Sequence, residues 1–379
     1  MLLELLERAL GKVEGRRCVR ECLAAAQRSS GAPIWVAAVG KAASSMALGA
    51  WDALGPALER ALVITKDAHV SPELAGLPGI EILESAHPVP DARSLAAGER
   101  LLQWVETLPA HIEPLFLLSG GASSLVEVLE PGVSLKDLEH LTAAWLAEGI
   151  DIGELNARRA RISRIKGGRL TVRLAGRAGR ALLLSDVPGN DPAVLGSGLL
   201  APAAQGPDAL ERVLVADVEQ ALAGAAAAAR ALGLTASILP GRFAGDAEQV
   251  AQQFTQAMSV SRAQVCLWGG ESTVRLPAHP GRGGRNQHLA LAAARLLAGT
   301  SDRMLLAAGS DGTDGPTPES GALVDGDTWA QVVRAGLDPE ACLARADSGT
   351  ALAAAGALLH SGPTGTNVGD LVLGLKGTA

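Results

Sequence analysis

Short apolar runs alternate with longer segments of helical periodicity along most of the chain. The apolar runs have the length of buried strands, and most of them end at a glycine or a polar residue. They occupy residues 34–39, 61–65, 115–118, 181–184, 213–215, 265–268 and 304–308. Strands that alternate with helices pair in parallel and are covered on both faces, so the pattern predicts an α/β fold with mostly parallel sheets.

The length of the chain indicates more than one domain. At 379 residues, it exceeds the size at which a single hydrophobic core stops growing. An alanine-rich helical segment at 216–232 is followed by the turn residues Gly233 and Pro240. We therefore predict an N-terminal domain over residues 1–235 and a C-terminal domain over residues 236–379.

The composition favours large buried layers and argues against several classes of function. Hydrophobic residues make up 48% of the chain and charged residues 19%, which is typical of a compact globular protein. The formal net charge of −7 has the wrong sign for a protein whose main partner is nucleic acid or an anionic membrane. No apolar stretch reaches the length of about 18 residues that spans a bilayer, and a secretory signal is lacking. We expect a cytoplasmic protein with reduced cysteines.

Two loops in the first half of the chain have the composition of an anion-binding site. Lys41 follows Gly40 at the predicted end of a strand, where its charge could neutralise a phosphate; a surface lysine that opens a helix is the alternative. The serine- and glycine-rich loop at 119–124 could point its backbone amides at an anion, with a tight structural turn as the alternative. The candidate ligands in that loop are Ser119, Gly120, Gly121 and Ser123.

Neither loop matches a familiar catalytic motif. Residue 35 is Trp and residue 42 is Ala, so Lys41 is not the lysine of a P-loop. The residues around Ser123 lack the second glycine of a nucleophile elbow, which disfavours a serine hydrolase.

A basic segment at residues 156–169 is open to two interpretations. Its arginines could attract phosphate, but charge runs of this kind are mostly solvated helix faces, which is how we interpret most of these side chains. Asn156 and Lys166 flank the helix rather than lie along it, and these two are our candidates for ligand binding.

Acidic residues follow two of the predicted strands. Asp186 stands just after the strand at 181–184, where it could act as a general base or hold a metal ion. Glu271 has a similar placement, after the strand at 265–268 and two glycines. The formation of a local turn is the alternative for both residues.

The last third of the chain holds a pair of loops that indicate phosphoryl transfer. Arg285 lies in the glycine-rich run 281–287, where its guanidinium could reach an anion; a flexible hairpin tip is the alternative. Asp311 and Asp314 are each followed by glycine, and Mg²⁺ or another hard divalent cation prefers carboxylate oxygens. We therefore predict a phosphate and a metal ion here. His87, in a proline-rich loop, is interpreted as structural.

Nine motifs, taken in their order along the chain, resemble those of the class II glycerate kinases, the family that carries the MOFRL segment. They are Val39-Gly40-Lys41-Ala42, His87-Pro88-Val89-Pro90-Asp91, Ser119-Gly120-Gly121, Lys166-Gly167-Gly168-Arg169-Leu170, Ser185-Asp186-Val187, Gly269-Gly270-Glu271-Ser272-Thr273, Gly284-Arg285-Asn286-Gln287, Asp311-Gly312-Thr313-Asp314-Gly315-Pro316 and Gly362-Pro363-Thr364-Gly365-Thr366-Asn367-Val368. The resemblance spans nearly the whole chain, and nine motifs in sequence order are highly specific for the family.

The resemblance implies an enzyme that phosphorylates D-glycerate with ATP and a divalent cation, typically at the 2-hydroxyl. The implied fold has two three-layer α/β/α domains, a Rossmann-like N-terminal one and a smaller C-terminal one, with the active site in the cleft between them. In direct in-line transfer, two basic residues would hold the phosphate while an acid orients the hydroxyl or accepts its proton. The matching active-site positions are Lys41, Asp186, Glu271, Arg285, Asp311 and Asn367.

The chain departs from the family pattern in ways that leave alternatives open. The methyl group of Ala122 could narrow the glycine loop, and Asn190 replaces an acidic residue. A hydroxypyruvate reductase would need a dinucleotide, yet the sequence has no Gly-x-Gly-x-x-Gly motif. A non-catalytic sensor of small phosphorylated acids is a second alternative. A homodimer is possible.

Overall fold

A computed structural model describes residues 1–26, 31–147, 152–203 and 205–377 of the chain. These residues form two compact units. The parallel unit comprises Glu14–Asp217 and Gly365–Asn367. The mixed unit comprises Met1–Val13, Val218–Thr364 and the residues from Val368 onward.

Helices and strands alternate along both units. The helices are α1 (Leu2–Lys12), α2 (Gly15–Ala25), α3 (Ala43–Leu54), α4 (Pro72–Ala75), α5 (Ala92–Glu106), α6 (Ala122–Leu125), α7 (Leu135–Ala147), α8 (Ile152–Arg161), α9 (Arg169–Arg173), α10 (Val218–Ala231), α11 (Ala247–Val260), α12 (Arg285–Leu297), α13 (Thr328–Arg334), α14 (Pro339–Ala344) and α15 (Ser348–Ala354). The strands are β1 (Ile34–Val39), β2 (Leu58–Lys66), β3 (Ile80–Ser85), β4 (Glu113–Ser119), β5 (Gly179–Leu184), β6 (Leu210–Ala216), β7 (Ala236–Ile238), β8 (Phe243–Asp246), β9 (Val265–Thr273), β10 (Arg303–Gly309), β11 (Gly321–Asp325), β12 (Leu358–Leu359) and β13 (Asp370–Lys376).

The parallel unit is built on a six-stranded sheet in the order β3-β2-β1-β4-β5-β6. Every pair of neighbours in it runs parallel, so the carboxyl ends of all its strands lie along one edge. The chain order reverses between β1 and β4, and open sheets of this kind bind ligands beside such a switch point. The loops after β1 and β4 are therefore the places where this unit should build a site.

The strands of the parallel unit form because their residues are buried on both faces. All six residues of β1 are buried, as the sequence Ile-Trp-Val-Ala-Ala-Val predicts for a central strand. On one face, α5 packs its apolar side against the sheet, and Trp104 of that helix contacts Trp35 of β1 with ring centroids 4.9 Å apart. Asp91 begins α5 by accepting a hydrogen bond from the Arg93 backbone N–H at 2.8 Å.

The mixed unit differs from the predicted pattern because most of its strand pairs are antiparallel. Its sheet has the order β12-β11-β10-β13-β9-β7, with β8 paired to β9. The loop at 310–320 joins β10 to β11 without a crossover helix, so the chain turns straight back and the two strands run antiparallel. Strand β13 pairs antiparallel with both β10 and β9. The prediction of mostly parallel sheets is therefore wrong for this unit.

The division between the units also lies elsewhere than the predicted boundary at residue 235. Helix α1 packs along α10, and the position of a Cβ on Gly224 would be 2.9 Å from the Cβ of Lys12. The contact joins the first helix of the chain to the mixed unit, together with all of α10. In the part of the chain that the structure describes, no helix is both long and apolar enough to cross a bilayer.

Candidate active site

The loops after β1 and β4 are joined at the switch point of the parallel sheet. Gly40 has a φ of +131°, and a Cβ there would lie 2.1 Å from the hydroxyl oxygen of Ser119. The Lys41 backbone N–H donates to the Gly120 carbonyl at 3.0 Å, and the Ala42 N–H donates to the Ser119 hydroxyl at 3.0 Å. Only glycine fits at residue 40, and the buried Ser119 hydroxyl holds the two loops together.

Gly120 brings a carboxylate and an amide close to the backbone of the glycine loop. A methyl group at residue 120 would lie 1.8 Å from Oδ2 of Asp186 and 2.1 Å from Nδ2 of Asn367. The Asn367 amide itself donates to Oδ2 of Asp186 at 2.9 Å. Asp186 follows β5, so two predicted site residues meet at this edge with their mutual orientation fixed by a hydrogen bond.

Lys41 and His87 both lie close to Gly121. From the position of a Cβ at Gly121, the Cγ of Lys41 is 3.0 Å away and the Cδ2 of His87 is 3.2 Å away. His87 follows β3, and it is half-buried, as are Lys41 and Asp186. The carboxyl edge of the parallel sheet therefore gathers a lysine, a histidine, an aspartate and an asparagine around a pair of glycines.

A second group of polar side chains flanks the short helix α6. The Ser197 hydroxyl donates to Oδ1 of Asn156 at 2.9 Å, and the hydroxyl oxygens of Ser123 and Ser197 are 2.6 Å apart. Because a hydroxyl carries a single proton, Ser123 is the donor in the contact with Ser197. Two predicted ligand residues, Ser123 and Asn156, are thus linked through a serine that the sequence analysis did not select.

Lys166 lies in a buried ion pair instead of at a ligand site. Its Nζ donates to Oε2 of Glu127 at 2.5 Å and to the Ser123 carbonyl at 2.7 Å, and its side chain is 2% exposed. Burial lowers the pKa of Lys166, which the Glu127 carboxylate opposes. Two of the three N–H groups of the ammonium are therefore used within the protein, and the burial of the side chain encloses the third. We therefore correct the prediction and assign Lys166 to the support of α6.

In the mixed unit, Arg285 is the first residue of α12 and not part of a hairpin tip. Its Nε and Nη2 donate to the two oxygens of Asp370 at 2.6 and 3.0 Å, and its Nη1 donates to Glu271. Although burial opposes the charge, Asp370 and Glu271 hold the pKa of Arg285 above its ordinary value. The two carboxylates differ in exposure: the side chain of Asp370 is 2% exposed and that of Glu271 is 57% exposed.

Asp314 caps the start of α12. Its Oδ1 accepts from the Asn286 backbone N–H at 3.0 Å, and its Oδ2 accepts from the Gln287 N–H at 2.8 Å. Burial raises the pKa of Asp314 to about 7, although those two N–H groups lower it. Both carboxylate oxygens are thus committed to the helix, which argues against the predicted role of Asp314 as a metal ligand and against phosphate binding by the helix amides.

Asp311 remains the candidate for metal binding in this region. It lies in the loop after β10, and its Oδ1 accepts from the Thr313 backbone N–H at 3.0 Å. Across the described ranges, no group of three or more His, Cys, Asp or Glu side chains is placed to hold a metal ion. Magnesium that arrives with a nucleotide needs only one or two protein carboxylates, because phosphate oxygens and water complete its shell. Asp311 stays a predicted ligand as a single carboxylate, and its two oxygens accept from the Thr313 hydroxyl at 3.1 Å rather than from the amides of a helix.

The two departures from the family pattern have local structural roles. Ala122 belongs to the hydrophobic core of the parallel unit, and its Cβ would be 3.3 Å from a Cβ at Gly196. Its methyl group therefore fills the core instead of narrowing the loop. The Asn190 amide donates to Oδ2 of Asp217 at 2.8 Å, so it holds the segment after β5 to the residue that follows β6.

Comparison with known proteins gives matches along nearly the whole chain. The MOFRL family matches residues 264–370, and a family described as a domain of unknown function, DUF4147, matches residues 1–230. The D-glycerate 2-kinase of Thermotoga maritima is 34% identical over 413 aligned residues, which cover 99% of this chain and 97% of that protein. A protein of Agrobacterium vitis, provisionally named hydroxypyruvate reductase, is 35% identical over 89% of this chain and 97% of its own length.

The fold has a counterpart among solved structures. The crystal structure of a glycerate kinase from Thermotoga maritima matches with a TM-score of 0.86 at 33% identity. The match covers 99% of this chain and 98% of that one. The resemblance inferred from the nine motifs and the two-domain α/β fold expected from it are both confirmed.

Proposed function

This chain belongs to the class II glycerate kinase family, and from that premise we propose that it phosphorylates D-glycerate with ATP to give 2-phosphoglycerate. The observation that carries the proposal is the group of Lys41, Asp186 and Asn367 around Gly120 and Gly121, at the switch point where parallel sheets bind ligands. A cation, an oriented carboxylate and an amide are the groups that phosphoryl transfer to a hydroxyl requires.

We assign the acceptor side of the reaction to Asp186. Its carboxylate is half-buried, and the Asn367 amide fixes its orientation through Oδ2. A carboxylate held in this way can orient the 2-hydroxyl of glycerate and accept its proton as the bond to phosphorus forms. Lys41, close to Gly121, would neutralise charge on the transferring phosphoryl group.

In the mixed unit, we assign Arg285 to a phosphate oxygen. Its Nε and Nη2 are held by the buried Asp370, which fixes the plane of the guanidinium. Its Nη1 faces Glu271, whose carboxylate is mostly exposed and can move into water when an anion takes its place. Glu271 would then be free to contact the nucleotide or the substrate.

We assign one carboxylate ligand of a divalent cation to Asp311 and none to Asp314. When it is bound with ATP, the cation supplies positive charge that neutralises phosphate oxygens. The protein residues in this account hold and orient the reactants without a covalent intermediate.

A coupled assay for ADP, with D-glycerate and MgATP, tests the proposal. We expect turnover by the wild-type enzyme, a loss of at least about 100-fold in kcat/KM for Lys41→Met, and no change for Lys136→Met, which removes an exposed lysine of the same unit. Absence of ADP release by the wild-type enzyme would overturn the proposed function. Undiminished turnover in Lys41→Met would overturn only the role of that residue.

Phosphorus NMR of the product decides the position of transfer, because the phosphate of 2-phosphoglycerate is bonded to a secondary carbon and that of 3-phosphoglycerate to a primary one. We expect the 2-phospho product. Detection of the 3-phospho isomer alone would leave a glycerate kinase with a different orientation of the substrate.

Reduction of hydroxypyruvate is the alternative that the name of the Agrobacterium vitis relative favours. Oxidation of NADH or NADPH that depends on hydroxypyruvate, without ATP, would support it. A non-catalytic sensor would instead bind glycerate tightly without consuming ATP. The packing of Ala122 in the core gives no support to the sensor, since that residue does not obstruct the glycine loop.

A further inference from the structure

Arg159 differs from the other arginines of the basic segment around α8. Arg158 pairs with Glu154 at 2.8 Å, Arg169 pairs with Glu130 at 2.7 Å, and Arg161 is exposed to solvent. Arg159 is half-buried, yet its guanidinium forms no hydrogen bond or ion pair with any residue that the structure describes. Burying part of a charge without a partner costs free energy of folding. A solvated helix face therefore does not explain the position of this arginine.

The local charge balance around Arg159 is positive. Glu127 is the neighbouring carboxylate that favours its charge, while burial lowers the pKa of Arg159. That carboxylate is already in direct contact with Lys166 at 2.5 Å, and it also accepts from the Ser163 hydroxyl at 2.6 Å. The side chains of Arg159 and Lys166 therefore share the single carboxylate of Glu127, which leaves about one positive charge without compensation.

A second unused donor lies on the same face of α8. Asn156 precedes Arg159 by one helical turn, and residues three apart are neighbours on a helix surface. The hydrogen bond from Ser197 to Oδ1 of Asn156 sets the orientation of its amide and does not use Nδ2. Within the described part of the chain, this Nδ2 has no acceptor.

Hydrogen bonds connect the segment that carries both donors to the helix after the glycine loop. Ser197 also contacts Ser123 of α6, and Lys166 donates to the Ser123 carbonyl, so α8 and α6 are tied together at this end of the sheet. The network ties the Asn156 amide to α6, which follows directly after Gly120 and Gly121, and Arg159 lies three residues further along α8. An oxyanion at this place would complete both sets of donors.

We propose that Arg159 and Nδ2 of Asn156 form an oxyanion-binding pair at the edge of the parallel unit. Its ligand is a carboxylate or a phosphate group, which in the reaction means the carboxylate of glycerate or a phosphate of the nucleotide. The identity of the ligand rests on the proposed function, but the presence of an oxyanion site does not.

Equilibrium binding to the full chain tests the pair without requiring turnover. Isothermal titration with D-glycerate, ADP and inorganic phosphate separately would be compared in wild type, Arg159→Met and Arg161→Met. We expect Arg159→Met to weaken at least one of the three by about tenfold or more, because hydrogen bonds from a charged donor are lost. Arg161→Met removes the same charge from an exposed position and should change no affinity by more than about twofold.

The pattern of losses identifies the ligand. Weaker binding of D-glycerate alone assigns the pair to the substrate carboxylate, and weaker binding of ADP and phosphate assigns it to the nucleotide. If the wild-type chain binds these ligands but transfers no phosphate, the proposed function fails while the oxyanion site stands. Unchanged affinities in Arg159→Met, or no binding of any of the three by wild type, would overturn the proposal.

Thermal unfolding separates a binding residue from a structural one. A half-buried charge without a partner does not stabilise the fold, so Arg159→Met should leave Tm unchanged or raise it. Arg159→Lys, which keeps the charge but loses the planar fork, should recover only part of the affinity. A clear fall in Tm for both variants would show that the side chain supports the fold and would overturn the proposal.

Discussion

The carboxyl edge of the parallel unit and the surroundings of Arg285 in the mixed unit hold similar residue types in different arrangements. At the parallel edge, side chains from the loops after β1, β3 and β5 meet around Gly120 and Gly121, where the Asn367 amide donates to Asp186. Around Arg285, two carboxylates enclose the guanidinium, and a third caps the helix that it begins.

This difference shows why a motif alone does not reveal the partners of a charged side chain. Both regions have a basic residue beside glycines in the sequence, but the partners of Arg285 are Glu271 and Asp370, the second of which is 85 residues away along the chain. The same holds for Lys166, whose partner Glu127 lies 39 residues earlier. Four substitutions test this contrast.

The largest effect is expected from Lys166→Met. This variant tests whether the buried ion pair between Lys166 and Glu127 stabilises the parallel unit. The substitution leaves the Glu127 carboxylate, with a fully buried side chain, without its cation. Breaking a buried pair by removing one partner costs about 3–5 kcal/mol. Urea unfolding should therefore show a loss of this size in the free energy of unfolding.

Two further variants identify the cause of that loss. Glu127→Gln in the Lys166→Met background removes the stranded charge and should restore most of the stability, since Gln still accepts from Ser163. Lys136→Met, at an exposed position, should change stability by less than about 0.5 kcal/mol. A small loss in Lys166→Met together with a large rise in KM would reverse our assignment and return Lys166 to the ligand site.

Gly120→Ala should have the next largest effect, and on activity more than on stability. The new methyl group would overlap Oδ2 of Asp186 and Nδ2 of Asn367, so both side chains must move. A displacement of about 1 Å in a positioning group can cost about 100-fold, and we expect a fall of that order in kcat/KM. Gly76→Ala, where the nearest atom is 3.9 Å from the new Cβ, is the control in the same unit. Full activity of Gly120→Ala would contradict the role that we assign to Asp186 in the reaction.

The sequence predicts the parallel edge well because strand ends and glycines are local features. All seven predicted strands fall within observed strands, and Lys41, Gly120 and Asp186 each follow one of them. Strand β3 escapes prediction because it lies at the edge of its sheet and is only half-buried, with glutamates between its apolar residues. Because β3 is not predicted, the sequence does not show that His87 follows a strand. On the sequence alone, His87 is therefore interpreted as structural.

Strand direction and charge pairing could not be predicted, because both depend on contacts between distant segments. The local pattern of β10 and β11 does not distinguish an antiparallel pair from a crossover, and β13 is interrupted by Gly374. The acid at the start of β13, Asp370, is the residue that the sequence analysis most clearly missed. The only local signal for it was an aspartate directly before a buried apolar run.

Asp314 offers a smaller test of the mixed unit through the pH dependence of stability. Its folded pKa of about 7 lies above the unfolded value of about 3.9, so the folded state binds the extra proton between these values. The contribution to stability is therefore greatest at acid pH and is lost as the pH rises through 7, by at most about 1.4 kcal/mol per pH unit. Urea unfolding of wild type and Asp314→Asn from pH 5 to 8 measures it.

Asp314→Asn should remove that slope and lower the stability overall, since its side chain can no longer accept from both N–H groups of α12. Asp327→Asn, which removes an exposed carboxylate of the same unit, is the control. If the stability of wild type relative to Asp314→Asn stays constant from pH 5 to 7, the buried carboxyl is ionised throughout and our account of its environment is wrong.

The smallest effect is expected from Glu271→Gln, and it decides whether Arg285 can exchange a protein carboxylate for a phosphate. The mostly exposed Glu271 should contribute less than about 1 kcal/mol to stability, whereas Asp370→Asn breaks the buried side of the same guanidinium and should cost about 3–5 kcal/mol. If Glu271 merely competes with the incoming anion, Glu271→Gln should bind ADP at least as tightly as wild type in isothermal titration. If ADP binding instead weakens along with stability, Glu271 is a fixed partner of Arg285, and the guanidinium is then as fully committed within the protein as Lys166.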